Sequence, residues 1–440
     1  MLNSDSSRSI HNRGYNGPAM HIRLVLLALL VASPAHSQFE STLLLRPERL
    51  FDGVDLHRSW SVLIRDDRIE AVGPDRSIRP PTYARTIELP GMTLLPGLIE
   101  GHTHLLLHPY DETSWTDQVL REPEAYRVAR ATAHATATLL AGFTTARDLG
   151  TEGAGYADFG IKKSIEDGVV PGPRLLIASK AIVATGSYGP KGFAPSFDVP
   201  LGAEQADGAY DLVRVVRDQI GHGADWIKIY ADYRWGPDGE ARPTFSEDEI
   251  RVAVETAASS GRSVVAHAST AEGIRRAVLA GVKTIEHGDG GSEEAFKLMA
   301  QHGVALCPTL AASHAMARYQ GWDPQTDPEP DRIQTSRSSF QAARSAGVSI
   351  CMGSDAGVFP HGDNTLELEL MVEYGMTPIE ALRAATSGNA SLLQIAEDVG
   401  SVRPGLIADL VAFEGDPTQS IRDLRDPKLV IKQGQIYLEP

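Results

Sequence analysis

The sequence predicts an α/β protein in which a (β/α)8 barrel is joined to a small β-sandwich built from both ends of the chain. Two observations lead to this prediction. Strand-like and helical stretches alternate through the middle of the chain, and short β-rich segments recur near both termini. A barrel takes about 250 residues. A chain of 440 residues therefore has room for a barrel and a smaller domain.

Eight strand-like runs supply the number of strands that a closed barrel needs. They cover residues 92–101, 143–148, 174–182, 226–232, 263–268, 284–287, 304–310 and 348–355. Helical patterns lie between them, at residues 124–141, 206–220, 247–260 with Ser246 as N-cap, and 271–279. Glycines suited to the left-handed turn after a helix precede several strands, at Gly142, Gly261, Gly281, Gly303 and Gly347. The same rhythm also fits an open doubly wound sheet.

The β-rich ends define the expected domain organisation. Short strands and turns fill residues 42–96, and the same texture returns in ADLVAFEGDP and KLVIKQGQIYL near the C-terminus. Segments at opposite ends of a chain can pair into one domain with the rest inserted between them. We predict an N-terminal extension and signal peptide over residues 1–37, sandwich segments over 38–95 and 396–440, and the barrel over 96–395.

The N-terminal region has the pattern of a signal peptide. His21 and Arg23 precede an apolar run over residues 24–32, and the small-residue triplet AHS follows at residues 35–37. The run is too short to cross a bilayer as a stable helix. We therefore expect a secreted or periplasmic protein without stable membrane insertion after signal removal, with Met20 as the start.

Charge and cysteine content narrow the partners. Lys and Arg number 41 against 57 Asp and Glu, a formal net charge of −16. This balance argues against a surface that neutralises nucleic-acid phosphates and favours a small-molecule substrate. The two cysteines, Cys307 and Cys351, lie in apolar strand-like runs without CxxC spacing, so we expect both to be buried thiols.

Four histidines and one aspartate stand at the ends of predicted strands. His102 and His104 follow the first strand and, two residues apart, face the same side of it. His267, His287 and Asp355 close the fifth, sixth and eighth strands. Catalytic groups of a barrel collect at these strand ends. The set predicts a site with nitrogen and oxygen ligands for zinc or a similar divalent ion.

Lys228 lies in the fourth predicted strand, where alternation with Ile227 and Ile229 turns its side chain inward. A bare ammonium beside a dication is strongly disfavoured. Two interpretations remain open from the spacing. Lys228 forms a buried ion pair, or its neutral amine adds CO2 and the resulting carbamate bridges two metal ions.

The motifs in this order resemble the binuclear amidohydrolase superfamily. The resemblance runs from about residue 42 to the C-terminus. It is carried by HTH after the first strand, the strand-four lysine, the two single histidines and SDAG. Six longer motifs resemble one branch of this superfamily, which contains imidazolonepropionase-like proteins, metal-dependent prolidases and dipeptidases. These motifs are AGFTTARDLG, IKIYAD, TIEHGD, MGSDAGV, GMTPIEALRAATSGNA and GSVRPGLIADLV.

The resemblance implies a ligand set and a reaction. It puts His102, His104 and Asp355 on the first metal, His267 and His287 on the second, and carboxylated Lys228 between them, with zinc as the expected ion. Asp355 would be the catalytic proton carrier. The implied substrate is a dipeptide or small-molecule amide of a C-terminal amino acid. One candidate is ochratoxin A, in which an amide bond joins phenylalanine to an isocoumarin acid. Some bacterial members of the superfamily degrade this compound. A homo-oligomer, octameric in form, is also implied.

Five residues are candidates for substrate binding. Tyr230 follows Lys228 by two residues, so its hydroxyl could reach a carboxylate or an oxyanion, or the ring could simply pack. Arg147 could bind a substrate carboxylate through a bidentate interaction, or it could form an ion pair with Asp148. Tyr188 lies in ATGSYGPKGF, which replaces a segment rich in glycine and histidine in many relatives. His134 and His361 complete the set as residues of a helix and a loop, where packed or solvated histidines are common.

Competing functions use related machinery. Mononuclear deaminases and imidazolonases of the same superfamily generally lack the bridging lysine, so Lys228 counts against them. Lactonases and phosphotriesterases share the binuclear core and stay open as alternatives. A non-catalytic scaffold would be expected to lose ligands, whereas all six are retained in this sequence.

Overall fold

The computed structural model describes residues 42–440, which form an α/β structure of mixed sheets and surrounding helices. The predicted signal peptide and extension, residues 1–37, lie outside the described residues. Within the described part of the chain, no helix combines the length and the apolar character needed to cross a membrane.

The strands alternate with helices from residue 98 onward. The strands are β1 (Thr42–Phe51), β2 (Leu56–Arg58), β3 (Trp60–Arg65), β4 (Arg68–Pro74), β5 (Arg85–Pro96), β6 (Leu98–Thr103), β7 (Phe143–Asp148), β8 (Arg174–Ile177), β9 (Ile182–Val183), β10 (Glu204–Gln205), β11 (Trp226–Tyr230), β12 (Asp232–Arg234), β13 (Ala241–Pro243), β14 (Ser263–Thr270), β15 (Thr284–Gly290), β16 (Ala305–Cys307), β17 (Leu410–Glu414), β18 (Pro427–Lys432) and β19 (Gln435–Leu438).

The helices mostly follow these strands. They are α1 (Trp115–Arg121), α2 (Glu124–Leu140), α3 (Ala157–Glu166), α4 (Gly208–Gly221), α5 (Glu247–Ala258), α6 (Ala271–Ala280), α7 (Glu293–His302), α8 (Leu310–Tyr319), α9 (Asp331–Ser345), α10 (Thr365–Glu373), α11 (Pro378–Arg383) and α12 (Asn389–Leu392). The predicted start of α5 is confirmed, since Ser246 and Glu249 form a reciprocal capping box. Gly281 and Gly303 end α6 and α7 with φ of 95° and 66°, the left-handed turn that glycine adopts without steric cost.

The two ends of the chain pair in one sheet. Its strand order is β19-β18-β17-β5-β1-β3-β4, with β2 beside β1. β5 is parallel to β1 and antiparallel to β17, so it joins the N-terminal and C-terminal strands. Only Gly97 separates β5 from β6, the first strand beyond this sheet. The domain boundaries near residues 95 and 396 stay predictions.

The middle of the chain forms two parallel sheets. One has the order β6-β7-β8 and the other the order β10-β9-β11-β14-β15-β16. Every residue is buried in five of their strands, β6, β7, β9, β11 and β16. Parallel strands covered by helices carry such continuous apolar runs. The sequence thus predicts the positions of these strands and the helices between them well.

The predicted eighth strand, residues 348–355, makes isolated bridges in place of a regular strand. Ile350 bridges Leu306 of β16, and Ala356 bridges Thr103 of β6. Asp355 and Gly357 have φ of 63° and 115°, which a regular strand does not allow. The segment therefore lies between the two parallel sheets without extending either of them as a ladder.

The two cysteines are paired, so the expectation of separate thiols is wrong. Cys307 and Cys351 form a disulfide with their Cα atoms 4.6 Å apart. The bridge between Leu306 and Ile350 sets the two following residues side by side. That register is a tertiary property, and cysteine spacing in the sequence does not report it.

Asn389 ties α12 to two neighbouring segments. Its Nδ2 donates to the carbonyl oxygens of Ile99 at 2.9 Å and Met352 at 2.7 Å, in a fully buried position. In the variant Asn389→Ala we expect the free energy of unfolding to fall by about 1–3 kcal/mol, because buried carbonyls lose these donors. Denaturant titration measures the change. Gln334→Ala on exposed α9 is the control, and equal stability of the two variants would contradict the assigned role.

Candidate metal centre and substrate cavity

His102, His104 and Asp355 meet where β6 ends beside the segment that bridges it. The Nε2 atoms of the two histidines are 3.3 Å apart. Asp355 Oδ1 lies 3.5 Å from His102 Nε2 and 3.2 Å from His104 Nε2. All three residues are buried, and their ligand atoms lie within 4.8 Å of one another. Two ring nitrogens facing one carboxylate oxygen across so short a gap fit a divalent cation.

His267 of β14 and His287 of β15 extend this cluster. The ring centroids of the two residues are 4.6 Å apart, and the ring of His287 is 5.2 Å from that of His102. Their strands are hydrogen-bonded neighbours, with Ala268 opposite His287. The structure therefore brings together the four histidines and the aspartate that the sequence singled out from remote positions.

Hydrogen bonds on the outer ring nitrogens decide which nitrogen faces the cluster. Nδ1 of His102 lies 2.8 Å from Glu286 Oε2, and Nδ1 of His104 lies 2.9 Å from the Gly150 carbonyl oxygen. Nδ1 of His287 lies 2.7 Å from Thr309 Oγ1. When an acceptor holds the proton on Nδ1, the Nε2 lone pair is free for a metal ion.

His267 has the opposite arrangement. Its Nε2 lies 3.4 Å from Ser269 Oγ and 3.9 Å from Asp232 Oδ1. Nδ1 is therefore its nitrogen without a hydrogen-bond partner among residues 42–440. Asp232 is itself fixed, because it accepts from the backbone amides of Ser269 and Thr270.

Glu286 orients His102 through its hydrogen bond to Nδ1. It is fully buried, and its Oε1 accepts from Thr284 Oγ1 and, at 3.2 Å, from Arg147 Nη2. Arg147 is also fully buried and donates from Nε to the Gly101 carbonyl oxygen at 2.7 Å. This chain of contacts fixes the position of the Glu286 carboxylate and thereby orients the His102 ring.

Lys228 lies in β11 with its side chain buried. Within the described residues its ammonium makes no hydrogen bond and no ion pair, which does not support the buried ion pair considered from the sequence. Burial lowers the pKa of Lys228 to about 8, against the opposing charges of Glu286 and Asp355. A substantial fraction of the side chain is therefore the neutral amine near pH 8.

The histidines differ in their protonation. Burial, followed by the charge of Lys228, lowers the pKa of His102 well below its usual value. Burial lowers the pKa of His287 to about 4. Burial also disfavours the cation of His104, but its hydrogen bond to Asp355 and the charge of that carboxylate raise the pKa to about 9. His102 and His287 are therefore neutral near pH 7, the form that binds a metal ion.

Several residues of the centre have a left-handed backbone. Positive φ values occur at His287 (74°), Asp355 (63°), Thr309 (50°) and Glu152 (47°). For residues other than glycine this conformation costs free energy, of order 1–3 kcal/mol each, and persists where the surroundings enforce it. The strain at these positions coincides with the side chains that face the cluster.

A cavity of about 370 Å³ borders the cluster. Aromatic, charged and apolar side chains line this cavity. These groups are Tyr110, Trp115, Tyr188, Tyr230 and Tyr233; Glu152, Arg234, Asp289 and Arg332; and Leu107, Ala312, Met316 and Val358. The volume suits a dipeptide-sized molecule.

Two arginines face this cavity from the side of His267. Within the part of the chain that the structure describes, neither Arg234 nor Arg332 forms an ion pair. Burial raises the pKa of Asp289, and its hydrogen bond to Ser336 and the charges of Arg332 and Arg234 oppose that shift. Both arginines line the same cavity as Asp289.

The predicted substrate-binding residues divide into two groups. Tyr230 and Tyr188 line the cavity, and the ring of Tyr230 stacks on His267 with centroids 4.5 Å apart. The hydroxyl of Tyr188 is committed to Glu152, to which it donates at 2.7 Å. The other three residues lie outside the cavity lining.

Arg147 forms its ion pair with Glu286 and not with the neighbouring Asp148. Its full burial leaves no path to a substrate carboxylate, so we do not retain it as a binding residue. His134 and His361 stack on each other with ring centroids 4.4 Å apart. They bond the carbonyl oxygens of Leu105 and Leu107, respectively, and so support the loop after β6.

The comparisons with known proteins agree with this geometry. Residues 93–437 match the amidohydrolase family, and the chain belongs to that family. Ochratoxinase of Aspergillus niger is 32% identical over 421 residues, covering 88% of this chain and 85% of the relative. Imidazolonepropionase of Salinispora arenicola is 24% identical over 377 residues, covering 82% and 86%.

A solved structure of a Xaa-Pro dipeptidase with methionine bound in the active site is also similar. It superimposes with a TM-score of 0.79 and 31% identity, covering 90% of this chain and 100% of that one. The family predicted from the motifs is thereby confirmed, and the chain is a hydrolase. A non-catalytic scaffold is not retained.

In the variant Glu286→Gln we expect affinity for a divalent metal to fall by about 10–100-fold. The amide would donate to His102 Nδ1, which moves the ring proton to Nε2 and removes the lone pair that faces the cluster. Chelator competition measures the affinity. Glu293→Gln on exposed α7 is the matched control. Equal metal affinity of both variants would contradict the role assigned to Glu286.

Proposed function

We propose that this enzyme is a divalent-metal-dependent amidohydrolase that cleaves the amide bond to a C-terminal amino acid. The observation that carries the proposal is the convergence of His102, His104 and Asp355 beside a cavity that two arginines border. The candidate substrates are dipeptides and N-acyl amino acids, among them ochratoxin A, which would yield ochratoxin alpha and phenylalanine.

The proposed architecture is a closed eight-stranded barrel. At one seam the backbone amide of Asp225 donates to Ile177 O at 2.8 Å. At the other seam, residues 348–356 bridge β16 and β6. These contacts support closure around the site, and the ligands would then share the face where barrel enzymes place their chemistry.

Two divalent cations, with zinc as the proposed metal, would occupy the cluster. His102, His104 and Asp355 would hold the first, and His267 and His287 the second. When bound, such ions polarise the substrate carbonyl and lower the pKa of water. The donor set supports this proposal, because imidazole and carboxylate are ligands that zinc accepts.

Lys228 is proposed to be carboxylated and to bridge the two sites. The lone pair of its neutral Nζ would form a bond to the carbon of CO2, and the nitrogen would release one proton to solvent. Its burial, the absence of an ion-pair partner among the described residues and its lowered pKa support this step. The product is an anion, which removes an uncompensated cation from the neighbourhood of the metals.

Asp355 is proposed to carry the proton. Burial alone would raise the pKa of Asp355, but the neighbouring imidazoles of His102 and His104 and the hydrogen bond to His104 hold it below the usual value. The side chain is therefore ionised near pH 7, and the ionised form is the one that can take up a proton as water attacks the amide. It would then deliver the proton to the nitrogen, which is a poor leaving group without it.

The arginine side of the cavity is proposed to bind the substrate carboxylate. A planar guanidinium matches a carboxylate in geometry and charge. Arg234 and Arg332 face the cavity without ion pairs among the described residues, so their charges are available to a ligand. The scissile carbonyl would then lie over the histidines.

We also propose that the protein works in an oxidising compartment, as a secreted or periplasmic enzyme. The disulfide between Cys307 and Cys351 supports this proposal, because structural disulfides persist chiefly in such compartments.

In the variant Asp355→Asn we expect kcat for amide hydrolysis to fall by at least about 100-fold, because the amide side chain cannot carry the proton. A panel of dipeptides and N-acyl amino acids that includes ochratoxin A measures the activity, and circular dichroism checks the fold. Asp331→Asn at the exposed start of α9 is the control. Near-normal turnover in Asp355→Asn would remove that residue from its proposed role.

In the variant Lys228→Ala we expect loss of both metal and activity, because the bridging anion is absent. Added acetate or propionate should restore both, since a short carboxylate fits the vacated volume. Metal analysis and turnover measure the rescue, with Lys297→Ala on exposed α7 as the control. Full metal content in Lys228→Ala, or no rescue by any short acid, would favour an uncarboxylated lysine.

A further inference from the structure

Glu152 is held rigidly at the edge of the cavity. It lies in the loop between β7 and α3, is 3% exposed and has a left-handed backbone. Arg127 fixes this loop, because its guanidinium donates to the carbonyl oxygens of Glu152 at 2.6 Å and Thr151 at 3.1 Å. The fixed backbone of this loop therefore directs the Glu152 side chain toward the cavity.

Among residues 42–440, the hydrogen-bond donors to the Glu152 carboxylate are all neutral. Its Oε2 accepts from Trp115 Nε1 at 2.9 Å and from Tyr188 OH at 2.7 Å. No lysine, arginine or histidine nitrogen among residues 42–440 lies within ion-pairing distance of it, and its Oε1 has no hydrogen-bond donor there. Burying a carboxylate in this state is costly unless a cation reaches it.

Aromatic rings surround the same position. The ring centroid of Tyr188 is 5.2 Å from that of Trp115, 5.0 Å from that of Tyr230 and 4.8 Å from that of Tyr233. Electron-rich ring faces attract cations, and a carboxylate among them adds a direct ion pair. The combination suits an alkylammonium group.

Glu152 also lies on a defined side of the metal cluster. A methyl group added at Gly150 would lie 3.3 Å from Glu152 Oε1 and 3.4 Å from His104 Cε1, so the carboxylate and that ring border the same small space. Arg234 of β12 and Arg332 of α9 also line the cavity, without ion pairs among the described residues. The cavity therefore carries a carboxylate beside His104 and guanidinium groups from two other elements.

We propose that Glu152, together with Trp115 and Tyr188, binds the free α-ammonium group of the substrate's N-terminal residue. The inference rests on the proposed function, since it places the scissile amide between this group and the carboxylate on the arginine side. The preferred substrate class is then the zwitterionic dipeptide. N-acyl amino acids, which carry no ammonium, are the poorer class.

The test compares three amides of similar size: Ala-Phe, N-propanoyl-Phe and N-propanoyl-Lys. The first two differ in the α-ammonium alone, and the third carries its ammonium on the C-terminal side chain. The wild-type enzyme should cleave Ala-Phe with a kcat/KM at least about tenfold above that of N-propanoyl-Phe, as expected for one charge-assisted hydrogen bond. Glu152→Gln should bring this ratio close to one.

The control variant is Glu124→Gln at the exposed start of α2, which should keep the wild-type ratio. Metal content of Glu152→Gln should equal that of the wild type, which separates substrate recognition from support of His104. A wild-type ratio near one, or a ratio that Glu152→Gln leaves unchanged, would overturn the inference.

The other possible outcomes also test the inference. If N-propanoyl-Lys is preferred and loses that preference in Glu152→Gln, the cation comes from the C-terminal side chain and the α-ammonium assignment is wrong. If the metal-loaded wild type cleaves none of the three amides, the proposed function fails and the inference fails with it. Cleavage of N-propanoyl-Phe as readily as Ala-Phe overturns the inference alone.

Discussion

The hydrogen bond between His102 Nδ1 and buried Glu286, 2.8 Å long, fixes the geometry on which the catalytic centre depends. It turns the His102 Nε2 lone pair toward His104 and Asp355, and Arg147 holds Glu286 in place from the opposite side. Burial then keeps most of the facing basic groups neutral, since each added charge would repel the others. A buried cluster of this composition is matched to cations that supply the missing positive charge.

The same burial gives the cavity its polarity. Glu152 and the two arginines, Arg234 and Arg332, line the same cavity as the histidines. Under the proposal, a ligand with charges at both ends would bind in one direction only, with its central amide over the cluster. Substrate orientation would thus come from loops and helix starts, whereas the chemistry would come from strand ends, as is usual in barrels.

The sequence predicted which strand-end residues lie together, because their spacing reports strand position and parallel strands bring such positions together. It did not predict Glu152 or Arg332, since the path of a loop and the start of a helix after a long loop carry no periodic signal. For Glu286 the sequence does carry a signal: Thr284 and Glu286 lie on one face of a buried strand, where an unpaired carboxylate is costly. The disulfide and the irregular eighth strand depend on register and backbone strain, which appear only in three dimensions.

We propose that the four histidines and Asp355 hold two metal ions, with Lys228 between them. Anomalous X-ray diffraction from crystals grown without chelator, at the absorption edge of the metal found by elemental analysis, tests this proposal most directly. We expect two anomalous peaks, one among His102, His104 and Asp355 and one between His267 and His287, with extra electron density on Lys228 Nζ. A single peak beside an unmodified Lys228, or no peak at all, would contradict it.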